Sequence, residues 1–304
     1  MSPSSRDEPG SQSDGAAYPG AADLALINCE LSPEGDRGSF ELVPELCRFD
    51  GALYGGTGIA VSVIAMEAAT QRDAVWVVTQ FVASTQAGAR IEWETQELAA
   101  GHRVSQLSVV ARSEGATMFC ALGATADPRP DGLDGQFLPM PKVTPPDESP
   151  PLMIGPGTPA LRDKGFNRNL EYREAQALDG RVGNAVLLWA RRTDGSPLTR
   201  AGIAYLADMV PMAIARAAGK FGAGFSLDNA LRFATAPPEE WVLLDLRGEL
   251  ASLGYGHGSL TAWTTDGTLI ATGSQSAMMK AMFDLDDHAA VARWEAAIEA
   301  MLSR

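Results

Sequence analysis

The chain holds 304 residues, 45% apolar and 20% charged, and its 24 Lys and Arg stand against 38 Asp and Glu, a formal net charge of −14. That length suits two domains or one large one, and the composition excludes wholesale disorder. The acidic balance argues against nucleic acid and anionic lipid as partners, and no apolar run approaches the ~20 residues that span a bilayer.

Residues 1–22 are rich in Ser, Asp, Gly and Pro, which predicts a disordered tail and no secretory signal. A compact region follows over 23–126. Within it Gly55-Gly56-Thr57-Gly58 opens an apolar segment, Ile59 to Thr70, whose spacing predicts a buried helix. Strand-like runs over 75–82, 90–98, 103–111 and 116–125 are separated by Gly88, Gly101 and Gly115, as hairpin turns require. Prolines crowd the stretch from Pro128 to Pro159, so 127–164 is expected to be a semi-rigid linker.

The second compact region runs over 165–304. Strands are expected over 167–177 and 184–190. Ser196-Pro197 then reads as the cap and first residue of a long helix that reaches Ala218 and stops at Gly219. Pro211 inside it has no N–H to give and crowds the Ala207 carbonyl, which predicts a kink beside Asp208. Strands over 225–233, 241–251, 257–264 and 268–280 follow, with turns at Gly254–Gly258 and Asp266-Gly267. Ala290, Val291, Trp294, Ala297, Ile298 and Met301 recur at helical spacing and predict a terminal surface helix.

The two regions repeat one another. Gly58-Ile59-Ala60 matches Gly202-Ile203-Ala204, and Glu97-Leu98-Ala99 matches Glu249-Leu250-Ala251. Two copies of a long helix followed by antiparallel strands predict an α+β double hotdog, each repeat a helix wrapped by a curved antiparallel sheet. Cys29, Cys47 and Cys120 form no disulfide framework, and His102, His257 and His288 lie at no zinc-ligand spacing from them. A reducing cytoplasm is the expected compartment.

Three residues stand out as candidates. Asp208 is flanked by Ile203, Leu206, Met209, Val210 and Ile214; a buried carboxylate there needs partners or a raised pKa, unless it lies on an exposed stripe. Gln275 sits in the polar island Ser274-Gln275-Ser276, where alternation allows it to face inward or outward. Ser226 follows Gly222-Ala223-Gly224 and reads first as a turn former. The glycine run at Gly55–Gly58 offers N–H groups to an anion, or simply close helix–sheet packing. His102 and His257 occupy matching turns, with a structural role expected. No Gly-x-Ser-x-Gly elbow is present, so the sequence supplies no covalent serine nucleophile of that kind.

Several motifs agree in order and spacing with one family. Ala204-Tyr205-Leu206-Ala207-Asp208 is similar to its Ala-Tyr-Ala-Ser-Asp helix motif. Ser226-Leu227-Asp228-Asn229 is similar to its Thr-Ile-Asp-His strand start. Asp266 to Ala271, leading to Gln275, is similar to its last strand, and Tyr54-Gly55-Gly56-Thr57 to its Phe-Gly-Gly-Gln. On these motifs the chain resembles the type II (TesB-like) acyl-CoA thioesterases over most of residues 40–283. The resemblance implies a double hotdog that hydrolyses acyl-CoA to free fatty acid and CoA. It implies Asp208, Ser226 and Gln275 as the catalytic, water-activating trio. It also implies no metal or redox cofactor and a homo-oligomer, a dimer or tetramer. Serine stands where threonine is common, Asn229 where histidine is frequent, and Phe81-Val82-Ala83-Ser84 where the family has Phe-Leu-Arg-Pro. The last two departures favour a rival, a non-catalytic acyl-CoA-binding hotdog protein. A second rival, a hotdog enoyl-CoA hydratase, needs an Asp followed by Asn-Pro-x-His, and the sequence has no such run.

Overall fold

Strict alternation along the strands builds the sheet. In Val104–Ser113, Ser105, Leu107, Val109 and Ala111 turn inward while Gln106 and Arg112 face out. A computed structural model describes residues 18–152, 161, 163–180, 183, 185–234 and 239–302. Its first half runs α1 (Ala21–Leu26), β1 (Cys29–Leu31), β2 (Arg37–Glu41), α2 (Gly55–Thr70), β3 (Asp73–Phe81), β4 (Arg90–Ala100), β5 (Val104–Ser113) and β6 (Ala116–Ala126). The second half runs β7 (Leu170–Glu174), β8 (Ala185–Arg192), α3 (Arg200–Leu206), a 3-10 turn (Ala207–Met209), α4 (Val210–Ala217), β9 (Lys220–Phe233), β10 (Val242–Ser252), β11 (Tyr255–Trp263), β12 (Leu269–Asp284) and α5 (His288–Leu302).

The strands form one antiparallel sheet in the order β1-β2-β4-β5-β6-β3-β9-β12-β11-β10-β8-β7. The halves meet where β3 pairs with β9, Trp76 opposite Arg232 and Gln80 opposite Asp228. In each half the seam strand is the one that follows the helices. The sheet wraps α2 on one side of the seam and α4 on the other, while α2 packs against α3. Helix α2 is buried almost all round, from Gly56 to Ala68, as a helix at the centre of a curved sheet must be. This is the α+β double hotdog.

The structure differs from the sequence reading at several places, each with a local cause. Helix α2 starts at Gly55, not Ile59, because the glycines serve helix–helix contact. A Cβ on Gly55 would lie 2.4 Å from Asp208 Oδ2, and one on Gly56 would lie 2.1 Å from the Tyr205 carbonyl oxygen. The cap of α3 is Thr199, whose hydroxyl accepts from the Gly202 N–H at 3.1 Å; the Ser196 N–H instead donates to Asp194. The single long helix is two, broken at Ala207–Met209. Gly222–Gly224 lie inside β9, with Gly224 pressed against Pro211, where a Cβ would come within 2.6 Å of the proline ring. The glycine-rich turn is confined to Leu253-Gly254, both at positive φ, and Gly256, His257 and Gly258 belong to β11. Strand β7 is shorter than expected, since Gly165–Asn169 is a 3-10 helix.

The ends of the proposed linker and tail also take part in the fold. Asp127 and Asp131 stay with the first half, paired with Arg72 and Arg103, and residues 136–144 then cross the outer face of the second half. Val143 bridges Ala177, the Trp189 indole N–H donates to the Thr144 carbonyl at 2.8 Å, and the Leu269 N–H donates to Gln136 Oε1 at 2.7 Å. Met140 and Val143 thereby cover Leu187, Trp189, Leu243 and Trp263. Residues 153–160, 162 and Asn184 lie outside the described residues, as do 1–17 of the expected tail. Of that tail, Tyr18 is hydrogen-bonded to Gln71 and Asp73, and Ala21 and Ala22 start α1, which is anchored where Asp23 accepts from the Thr199 hydroxyl.

Candidate active site

The site begins with a missing hydrogen bond. In an unbroken helix the Ala207 carbonyl would accept from residue 211, but Pro211 has no N–H. The chain tightens into the 3-10 turn, and Asp208 takes φ −80°, ψ 21°, outside the helical region. This turns its side chain toward the start of α2.

Two strands supply donors to it. Ser226 of β9 donates its hydroxyl to Asp208 Oδ1 at 2.5 Å. Gln275 of β12 donates from Nε2 to the same oxygen at 2.5 Å and to Ser226 Oγ at 2.9 Å. The register between β9 and β12 explains how both face inward. Gln275 lies opposite Asn229 and Ala277 opposite Ser226, so β9 carries one extra residue there, a bulge. The bulge turns both Ser226 and Asn229 to the inner face, which simple alternation forbids. The Gly56 backbone N–H adds a further donor to the carboxylate. Asp208 Oδ2 lies against Gly55, where the absent side chain leaves room.

Burial pushes the Asp208 carboxyl up to about 6, against the pull of Ser226, Gln275, Gly56 and the Arg48 guanidinium. The carboxylate is enclosed by protein yet keeps one accessible edge on a cavity of about 270 Å³. Leu53, Phe81, Val82, Phe225 and Leu227 give that cavity apolar walls, and Arg48, stacked over the Phe225 ring at 4.8 Å and paired with Asp50, stands beside them. A wider groove of about 590 Å³ beside Trp93 has only exposed, arginine-paired carboxylates such as Glu30 and Glu94, with no comparable donor set. Chemical convergence, not size, therefore marks the site. The Gln275 Oε1 and Asn229 Oδ1 atoms are buried without a protein partner.

The structure thus brings Asp208, Ser226 and Gln275 into one hydrogen-bonded cluster. His257 is not in a turn but in β11, on the opposite, exposed face, where Nδ1 meets Ser276 Oγ at 3.0 Å. Gly55 and Gly56 were visible in the sequence as a glycine run, but their contact with Asp208 was not. Arg48 carried no sequence signal, and Asn229 was marked only as a departure from a motif. Among the described residues no group of three or more His, Cys, Asp or Glu is placed to hold a metal ion.

Helices wrapped by an antiparallel sheet in two fused repeats, with one polar cluster at the helix break, define a double-hotdog protein. Family models for the acyl-CoA thioesterase N-terminal domain and C-terminal domain match residues 44–127 and 146–279. The chain belongs to this acyl-CoA thioesterase family. Among solved structures, a protein from Novosphingobium aromaticivorans assigned by inference as a thioesterase is 29% identical, with TM-score 0.74 over 82% of this chain and 98% of that one. A hot dog fold protein of unknown function from Alicyclobacillus acidocaldarius (19% identical, TM-score 0.73, 86% and 99% covered) shares the fold. So does an acyl-CoA thioesterase II from Mycobacterium marinum (18%, TM-score 0.65, 86% and 98%). No curated protein sequence matches the chain.

Proposed function

We propose that this protein hydrolyses the thioester of acyl-CoA to free fatty acid and CoA, with Asp208 as general base. The observation that supports it is the convergence of Ser226 and Gln275 on one oxygen of a buried carboxylate at the edge of an apolar cavity. The two donors hold Oδ1, and the carboxylate takes the proton at its edge on the cavity. Water losing that proton attacks the thioester carbonyl carbon and forms a tetrahedral oxyanion. Collapse of the oxyanion breaks the C–S bond, and the proton on Asp208 passes to the departing CoA thiolate. Ser226 and Gln275 fix the carboxylate that takes the proton, which lowers the entropic part of the barrier. With this reading go a cytoplasmic compartment, expected from the cysteine usage, and the assembly of two or four copies that the resemblance implies. Among the described residues no helix is long and apolar enough to cross a membrane.

The test follows free-thiol release from acyl-CoAs of graded chain length, with Asp208→Asn alongside. We expect release from the parent protein and a loss of about 10²–10⁴-fold in the variant, the range for a missing general base. Release untouched by the substitution removes Asp208 from the mechanism. No release at any length favours the non-catalytic acyl-CoA-binding protein, and hydration of an enoyl-CoA without release favours the hydratase.

A further inference from the structure

We infer that Asn229 is a positioning residue of this site: its side-chain amide closes the helix break on which Asp208 stands. The inference rests on the reading of Asp208 as general base. Pro211 deprives the Ala207 carbonyl of its helical donor, and Ala207 is fully buried, so water cannot replace that donor. Asn229 replaces it, donating from Nδ2 to the Ala207 carbonyl at 3.1 Å from a position that is itself fully buried. The bonded carbonyl belongs to the residue directly before Asp208. Asn229 also lies opposite Gln275 on one side and opposite Thr79 of the first half on the other. One side chain therefore ties the helix break to the glutamine strand and to the seam between the halves.

The residue type supports this role. Asparagine is a poor strand former, and here it is buried with Oδ1 unpartnered. A packing position would be better served by an aliphatic side chain, so a local rule is broken beside the site. The hydrogen bonds from Ser226 and Gln275 to Asp208 are short and directional. A small shift of the break would misalign both.

Three variants in the full chain test it: Asn229→Leu, Pro211→Ala, and the two combined. Asn229→Leu is expected to lower kcat by up to about 10²-fold, with KM within about three-fold, because a misplacement of about 1 Å has that cost. The combined variant returns an N–H to the Ala207 carbonyl. It should recover thermal stability and not kcat, because a regular helix no longer presents Asp208. Recovery of both would make Asn229 a structural residue only and overturn the proposal. If Asn229→Leu does not fold, Asn229→Ala decides: it too removes the Nδ2 donor from the Ala207 carbonyl, so kcat should fall, and an unchanged kcat overturns the inference. A readout independent of turnover is the NMR titration of the Asp208 carboxyl. Ser226, Gln275, Gly56, Arg48 and the Tyr54 hydroxyl surround it. Loss of the two donors in Asn229→Leu should raise its midpoint, and an unmoved midpoint sinks the positioning role. If the parent protein releases no thiol yet the midpoint moves, positioning stands and the hydrolytic reading fails.

Discussion

In the proposed mechanism Asp208 answers two opposed demands: it must lose its proton to act as a base, yet burial favours the protonated form. Ser226, Gln275, Gly56 and Arg48 reconcile these by bringing the carboxyl to about 6. The rate should therefore rise with pH through about 6 and level off above it. Ser226→Ala removes a donor that favours the ionised form, so the limb should move upward by about one pH unit, equivalent to about 1.4 kcal/mol. A pH–rate profile checks this, and an unmoved limb would mean the hydroxyl does not act on the carboxylate. At this scale the acid was legible because a lone Asp in an apolar helix demands partners. Ser226 was harder, since the bulge that turns it inward leaves no trace in the alternation of β9.

At the scale of elements, the prolines and glycines decide the geometry. Pro211 made the helix break readable, because a missing N–H is a property of the residue itself. Gly56 was not readable in the same way, because its reason lies in another helix: the Tyr205 carbonyl, which also accepts from the Tyr54 hydroxyl at 3.0 Å. Gly56→Ala should push α2 off α3 and cost about 1–3 kcal/mol, as overpacking of a tight contact does. The denaturation midpoint measures it, and a wild-type midpoint would show that the crossing has slack. The strands were largely legible from alternation and turn glycines. The caps were not: Thr199 outcompetes Ser196 because Asp194 and the bridge from Leu198 to Glu239 hold residues 194–198 out of the helix.

Across the whole molecule, a second buried acid ties the parts together. Glu67 near the end of α2 accepts from the Ala74 N–H, close to Asp23 of α1, Asp73 of β3 and Arg200 of α3. Burial pushes it up to about 8 from an ordinary 4.5. Between those values the folded chain keeps a proton that the unfolded chain has released, so stability falls as pH rises through that window. Glu67→Gln removes the titration. It should match the parent at pH 5 and melt higher at pH 8, and parallel melting curves at both values would refute the coupling. Counting six residues on from the matched Gly58 and Gly202 reaches Ile64 in one helix and Asp208 in the other. The repeat is symmetric in shape and unequal in chemistry: Ile64 is an inert core residue, 1% exposed. The first repeat lends Gly55 and Gly56 to the contact with the second and holds no acid of its own at that position. Stoichiometric titration with a tight-binding substrate analogue should accordingly saturate at one equivalent per polypeptide.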